Sequence, residues 1–409
     1  MSEVDPFNTH SEVIQNTEVM HTSEVTQLET AKNLKQIVWE QFKEHKAAVI
    51  GAYTILIFII IALSAPLISL VLGVDPTSQN VFNRYKPPFS SVKANSSTRE
   101  QSIDSFIKNN PDDAALIKSQ LLEKKIVSPV RPEDALYDLA SLDKEKALDA
   151  LDQTKNPKTN ELKGIIKSFD GFHLLGTDEL GRDVLMRLIY GTRVSMGVGV
   201  LVALASALIG LVIGSIAGFY GGIIDSILMR VTDALLSLPI MPVLIVVAAI
   251  DLQKLPLLKS IISVGNESVL KLVFILCLFS WMTVARLVRG SILSLREREF
   301  ILASKTLGAT DFTLITRHMF PNVIAPMLVA VTLGVGESIL FEAALSFLGL
   351  GIQPPTPSWG NMLFNALELI DKAPYLAILP GLLILAVTIS FNYLGDGLQD
   401  AIDPKAIRR

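Results

Sequence analysis

Apolar residues gather into six charge-poor runs, at approximately 47–70, 194–220, 234–250, 269–288, 323–345 and 377–394. A helix needs roughly 20 apolar residues to cross the hydrocarbon core of a bilayer, so each run predicts a membrane span. The fourth run carries Lys271 and Arg286 at its ends, where long side chains snorkel toward lipid headgroups. The pattern therefore predicts an all-α membrane protein with six transmembrane helices.

The polar stretches divide the rest. Residues 1–30 are polar and acidic, with loose Ser/Thr-Glu-Val recurrences at Ser2, Ser11, Thr17 and Ser23, and read as a disordered cytoplasmic tail. Residues 31–46 place Leu34, Val38, Trp39 and Phe42 on one helical face, an interfacial helix leading into the first span at 47–70. Residues 75–170 have soluble character, with helical spacing at Ile103, Phe106 and Ile107, at Leu116, Ile117 and Leu121, and a helix start at Pro132-Glu133-Asp134. They predict an extracytoplasmic helical insert, either a packed decoration or a docking surface. A core at 171–396 holds the other five spans, and 397–409 forms a cytoplasmic tail.

Charge orients the bundle. Arg286, Arg289, Arg296, Arg298, Lys305 and Arg317 crowd the connection between the fourth and fifth spans, and short basic loops stay inside. Lys35, Lys43 and Lys46 before the first span, with Lys405, Arg408 and Arg409 after the last, put both termini on the same side. Arg182, Arg187 and Arg193 precede the second span on the outer side, but long translocated segments obey the rule weakly. Within the basic connection, Leu295, Glu299, Leu302 and Thr306 share a helical face, Gly308 supplies a left-handed break, and a second amphipathic run through His318 ends before Pro321. This describes a stiff two-segment handle along the membrane surface, suited to docking a partner.

Half of the 409 residues are hydrophobic, too many for a soluble domain of this size, and the net charge of −4 matters less than its distribution. The single cysteine, Cys277, lies in an apolar span and supports no disulfide framework. The first apolar run lies too far from Met1 and is too long for a cleavable signal, so it stays as an anchor. The second span abounds in small residues, including Gly197, Gly199, Gly210, Gly214 and Gly218, which permit close helix approach within the chain or with a second subunit. Pro239 and Pro242 in the third span and Pro326 in the fifth predict kinks. Asp233, Glu337 and Glu342 are ionisable groups at membrane depth, either functional or satisfied against a neighbouring subunit. After the fifth span, Gly349, Gly351, Pro354, Pro355, Pro357 and Gly360 mark an outer loop whose Trp359 suits an interfacial anchor. No phosphate loop, catalytic constellation or metal-ligand spacing occurs. The five histidines read as surface residues, and the basic residues follow topology rather than nucleic-acid binding.

Several motifs, taken in order, resemble one family. They are Gly176-Thr177-Asp178-Glu179-Leu180-Gly181-Arg182-Asp183, then Asp225, Met229-Arg230 and Asp233 through Pro239, then Glu342 through Gly351, then Pro357-Ser358-Trp359-Gly360, and finally Gly395 through Pro404. They are similar to the permease subunits of ABC importers of the dipeptide/oligopeptide type, over about 39–68 and from Gly171 onward. The resemblance implies the type I ABC importer permease fold, a bacterial inner-membrane location and no enzymatic activity on this chain. It also implies a homologous second permease, two cytoplasmic ATPases, an extracytoplasmic peptide-binding protein and surrounding lipid, with no cofactor here and ATP and Mg on the ATPases.

Residues 289–321 resemble the family's EAA coupling loop, with Ala303, Gly308 and Pro321 at its Ala, Gly and Pro positions. Leu302 stands where the family has Glu and Ser304 where it has a second Ala, leaving Arg296, Arg298 and Glu299 to supply charge. The segment 75–166 is longer than the family's and receives nothing from it. Two other classes remain open on the residues alone: a proton-coupled transporter titrating Glu337 or Glu342, and a membrane scaffold or receptor whose insert binds a ligand.

Overall fold

The computed structural model describes residues 34–402 apart from 73, 78, 80–82, 94–95, 124–134, 143, 168–169 and 251–266. The tail at 1–30, the Pro132 helix start and the basic residues Lys405, Arg408 and Arg409 lie outside the described residues.

Five helices are long and apolar enough to cross a membrane: α2 (Lys46–Leu72), α8 (Val184–Tyr220), α11 (Glu267–Arg296), α13 (Asp311–Phe347) and α16 (Tyr375–Ile402). Each outruns its apolar window. Helix α8 starts ten residues before the expected 194, because Asp183 caps it by accepting from the Met186 N–H at 2.8 Å. Helix α11 runs on to Arg296, so Arg286 and Arg289 stand on a helix and not in a loop. Helix α16 continues to Ile402, so residues 397–402 are part of the last helix and not a tail.

The third span is not one straight helix. Helix α9 (Gly222–Leu236) and helix α10 (Ile240–Ala249) meet at 87°, and a sixth crossing exists only if this bent pair counts as one. The cause is local. Pro239 has no N–H and pushes the residue before it out of helical conformation, whereas Pro242 sits in the first turn of α10, where the N–H has no intrahelical partner. Pro242 therefore does not interrupt its helix, contrary to the sequence expectation. Pro326 lies inside α13 without ending it.

Helix α8 is the spine of the bundle, and glycine sets its distances. A Cβ at Gly210 would lie 2.7 Å from Val284 Cβ, at Gly214 2.5 Å from the Ala285 carbonyl oxygen, and at Gly218 2.9 Å from the Arg289 carbonyl oxygen. The three glycines, four residues apart, thus let α8 touch the backbone of α11, which resolves the small-residue pattern as packing within one chain. On the other flank Gly199 meets Ile339 of α13, and Phe58 of α2 packs edge-on against Trp359 at 5.8 Å. The preceding helix α1 (Leu34–Glu44) buries Phe42 against Ala48 and Ala401.

Between α2 and α8 stand α3 (Ser96–Asn109), α4 (Pro111–Glu123), α5 (Asp138–Ser141), α6 (Lys144–Asp152) and α7 (Thr159–Lys167). They enclose a cluster of their own around Ile103, Phe106, Ile117, Leu121, Leu139, Leu151, Leu162 and Ile166, with no residue from the spans. The antiparallel pair β1 (Ser90–Lys93) and β2 (Asp170–His173), with Ser90 opposite His173, closes the neck of this insert.

Candidate functional site: the basic-end loop, the outer buckle and the bundle cavity

The basic connection between α11 and α13 has three parts rather than two. Helix α12 (Glu299–Thr306) starts after a break at Arg298, whose backbone is extended, so Leu295 and Glu299 lie on different helices. Gly308 takes φ +88°, and the chain then re-enters a helix at Asp311. The second run does not stop before Pro321. It is the first part of α13, which contains a π turn at Leu314–Met319 and has Pro321 in the first α-helical turn after it. The wider turn accommodates a residue that cannot donate a ladder hydrogen bond.

One face of this loop is fixed. Ile301, Leu314 and Met319 are buried against Val288 and Ile292 of α11 and Val323 of α13. The opposite face is bare: Phe300, Leu302, Leu307 (88 % exposed) and Phe312 (77 % exposed) are apolar side chains in water, with Arg298, Glu299, Ala303 and Lys305 exposed among them. Ser304 is half-buried and donates from its hydroxyl to the Phe300 carbonyl at 2.8 Å.

Three arginines of α11 hold neighbouring elements at this end. Arg289 grips Asp225 of α9 bidentately, at 2.5 and 2.6 Å, and Arg286 donates to Asp233 of α9 at 2.5 and 3.1 Å. Arg296 donates to the carbonyl of Phe219 at 3.2 Å, near the C-terminus of α8. Asp233 is thus an exposed ion-pair partner and not an isolated intramembrane acid. Lys271 donates to the Ala248 carbonyl at 2.8 Å, next to the end of α10.

At the other end, residues 176–183 form a buckle. Asp178 accepts from the N–H groups of Leu180 and Arg182 at 2.9 Å each and from the Arg182 Nε at 2.7 Å, and Arg187 also pairs with it. Gly176 and Gly181 adopt φ +79° and +72°, and a Cβ at Gly176 would collide with the Lys86 carbonyl. Thr177 bonds to Asn83 and accepts from the Lys86 N–H, while the Tyr375 hydroxyl lies 2.9 and 2.8 Å from the carbonyl oxygens of Lys86 and Thr177. Burial and the nearby Glu179 push the Tyr85 phenol above its usual pKa, so it stays neutral against the core. His173 is no surface residue. It is buried, and its Nδ1 lies 2.8 Å from Asp183.

Beneath the buckle, Glu342 is fully buried and satisfied within its own chain. Its carboxylate accepts from Ser195 and Ser346, both at 2.9 Å, and Ser195 in turn accepts from the Trp359 N–H at 3.1 Å. Trp359 is buried completely, donating from its indole to the Leu188 carbonyl at 3.1 Å. It is therefore not an interfacial anchor: Gly191 leaves the space for its ring, since a Cβ there would lie 3.0 Å from the Trp359 side chain.

Between these ends a cavity of about 560 Å3 opens beside α11 and α13, floored by the bend between α9 and α10. Its wall is mostly apolar, with Ser280, Thr283, Ser338 and Gln399 among the few polar groups and Glu337 as the one ionisable side chain lining it among the described residues. So the structure separates the three acids singled out in the sequence. Glu342 sits in a buried network, Asp233 in an ion pair and Glu337 alone at the cavity.

Residues 210–408 match the family model described as the binding-protein-dependent transport system inner membrane component, and residues 33–88 match the N-terminal TM domain of oligopeptide transport permease C. A dipeptide transport system permease protein, DppC, of Alkalihalophilus pseudofirmus is 40% identical over 57% of this chain and 72% of its own length. The chain belongs to this family of permeases. The Bacillus subtilis dipeptide permease DppC is 42% identical over 58% of the chain and 70% of its own length, and the glutathione transport system permease protein GsiD of Pectobacterium atrosepticum 39% over 57% and 73%. The permease is a multi-pass membrane protein. The basic loop, the α9–α10 bend, Glu337 and Glu342 fall inside the larger family match, whereas the buckle at 176–183 and the insert helices fall between the two matches.

Proposed function

We propose that the permease is one half of the translocation pathway of an ATP-driven peptide importer, working with a homologous second permease, two cytoplasmic ATPases and an extracytoplasmic peptide-binding protein. The observation that carries this reading is the two-faced segment at 297–319: Ile301, Leu314 and Met319 pack it against Val288 and Ile292 of α11 and Val323 of α13, while Phe300, Leu302, Leu307 and Phe312 face outward. Exposed apolar side chains grouped on a rigid, basic segment mark a docking surface. A partner bound there moves α11 and α13 as a body, and the cavity beside them changes its opening. No cofactor is needed on this chain; ATP and Mg belong to the docked ATPases. The basic end, with both described termini, faces the cytoplasm of a bacterial cell, and the insert faces outward.

Peptide as the substrate is supported by the dipeptide permeases among the relatives and by the cavity, whose size and sparse hydroxyl groups suit a short chain of varied side chains. Reconstitution of the importer in vesicles tests the whole reading. Uptake of a labelled peptide must require ATP hydrolysis and must persist when the proton gradient is collapsed. Uptake that continues without ATP hydrolysis would overturn it.

A further inference from the structure

Glu337 and Glu342 lie five positions apart on α13, and their surroundings are opposite. Glu342 is sealed and hydrogen-bonded to two serines. Glu337 is exposed at the cavity and has no hydrogen-bond or ion-pair partner among the described residues. It contributes nothing to internal pairing, yet a carboxylate at membrane depth is costly to retain. Among the described residues the other groups lining the wall are aliphatic, aromatic, thioether, hydroxyl or amide, and none bears a charge that could neutralise it.

We infer that Glu337 is a subsite for the protonated primary amine of the transported molecule, reading its positive charge as it passes through the cavity. This rests on the peptide-importer reading, since every peptide with a free N-terminus carries such an ammonium at neutral pH. Low-dielectric walls strengthen attraction between the carboxylate and a cation beyond its value in water. The hydroxyls of Ser280, Thr283 and Ser338 supply neutral polar partners nearby, although Ser280 and Ser338 already donate to the carbonyls of Leu276 and Gly334 and offer lone pairs only. A cation fits such a wall, because oxygen lone pairs and a carboxylate accept and an ammonium donates. An anion does not fit. The carboxylate end of the peptide must therefore lie away from this wall, toward the second permease.

The test compares the assembled wild-type importer with Glu337→Gln, reconstituted with its partner subunits and binding protein. Uptake of trialanine is measured at about pH 7, where its α-amine is mostly charged, and at about pH 9.5, where it is neutral. Taking the ratio of wild type to variant at each pH cancels the pH responses of the ATPases and the binding protein. The expected ratio is about tenfold near neutrality, falling toward one in the alkaline medium. Lys-Ala-Ala, whose side chain stays charged at the higher pH, identifies the source. A ratio that remains high means that a lysine ammonium is read as well, and a ratio near one confines the site to the α-ammonium.

A ratio of one at both pH values, or an equal loss at both, would overturn the subsite. Absence of ATP-dependent trialanine uptake by the wild type would instead overturn the peptide reading on which it rests.

Discussion

Ser195 of α8 and Glu342 of α13 share a hydrogen bond of 2.9 Å, closed to solvent and 147 residues apart in sequence. Through Ser195 the same network reaches the Trp359 N–H, and through Ser346 the Ile352 N–H, so one carboxylate fixes the loop that covers the outer end. Glu342→Ala leaves two buried hydroxyls without their acceptor, each costing about 1–3 kcal/mol. The expected result is a clear loss of thermal stability in detergent, with Ser195→Ala milder. Unchanged melting of the Glu342→Ala protein would show that the network is dispensable.

Gly214 and Gly197 make a matched pair on one helix. A side chain at Gly214 meets the backbone of α11, which cannot yield, whereas a Cβ at Gly197 meets nothing within 4 Å. Gly214→Val should cost about 1–3 kcal/mol or more by forcing α8 and α11 apart, and Gly197→Ala should be nearly silent. Yield of monodisperse protein and its melting temperature distinguish the two. Equal tolerance would contradict the close helix approach.

The Asp225–Arg289 pair joins α9 to α11 bidentately and is partly exposed. Its coupling energy should be about 0.5–1 kcal/mol and should weaken as salt is raised. A double-mutant cycle of Asp225→Asn and Arg289→Gln measures it. Strict additivity at low salt would mean that the pair does not hold α9 in place.

Gly308 occupies a backbone conformation closed to proline, which is locked near φ −65°. The Gly308→Pro protein should still insert, since a side chain there meets nothing within 4 Å, but it loses the Gly308 N–H bond to the Lys305 carbonyl (3.0 Å) and, by re-angling the loop, the coupling of ATP hydrolysis to uptake. The ratio of peptide imported to ATP hydrolysed checks this. A wild-type ratio would detach the loop from coupling.

Much of this architecture was legible because its signal is local. Apolar length marked all five long helices, and the basic cluster between α11 and α13 marked the loop. What escaped depends on position or on distance. Pro239 and Pro242 look alike in sequence, but only the first falls between helices, so the 87° bend was hidden in what looked like one apolar run. Arg286 and Arg289 read as loop charges because apolar windows end at the first charge, whereas the helix continues as long as its charges find Asp233 and Asp225. Trp359 suggested an interface by residue type. Its burial is set by Gly191, 168 positions earlier, which no local pattern reveals. Of the three intramembrane acids, composition could not tell the buried Glu342 from the open Glu337; only their neighbours separate them.

Coupling to an ATPase requires Leu307 and its loop to face the cytoplasm. Leu307→Cys, in a Cys277→Ser background, should resist a membrane-impermeant maleimide in intact cells. It should react in inverted vesicles stripped of ATPase and be shielded when the ATPases are added back. Labelling of Leu307→Cys from outside intact cells, or no shielding by the ATPases, would contradict it.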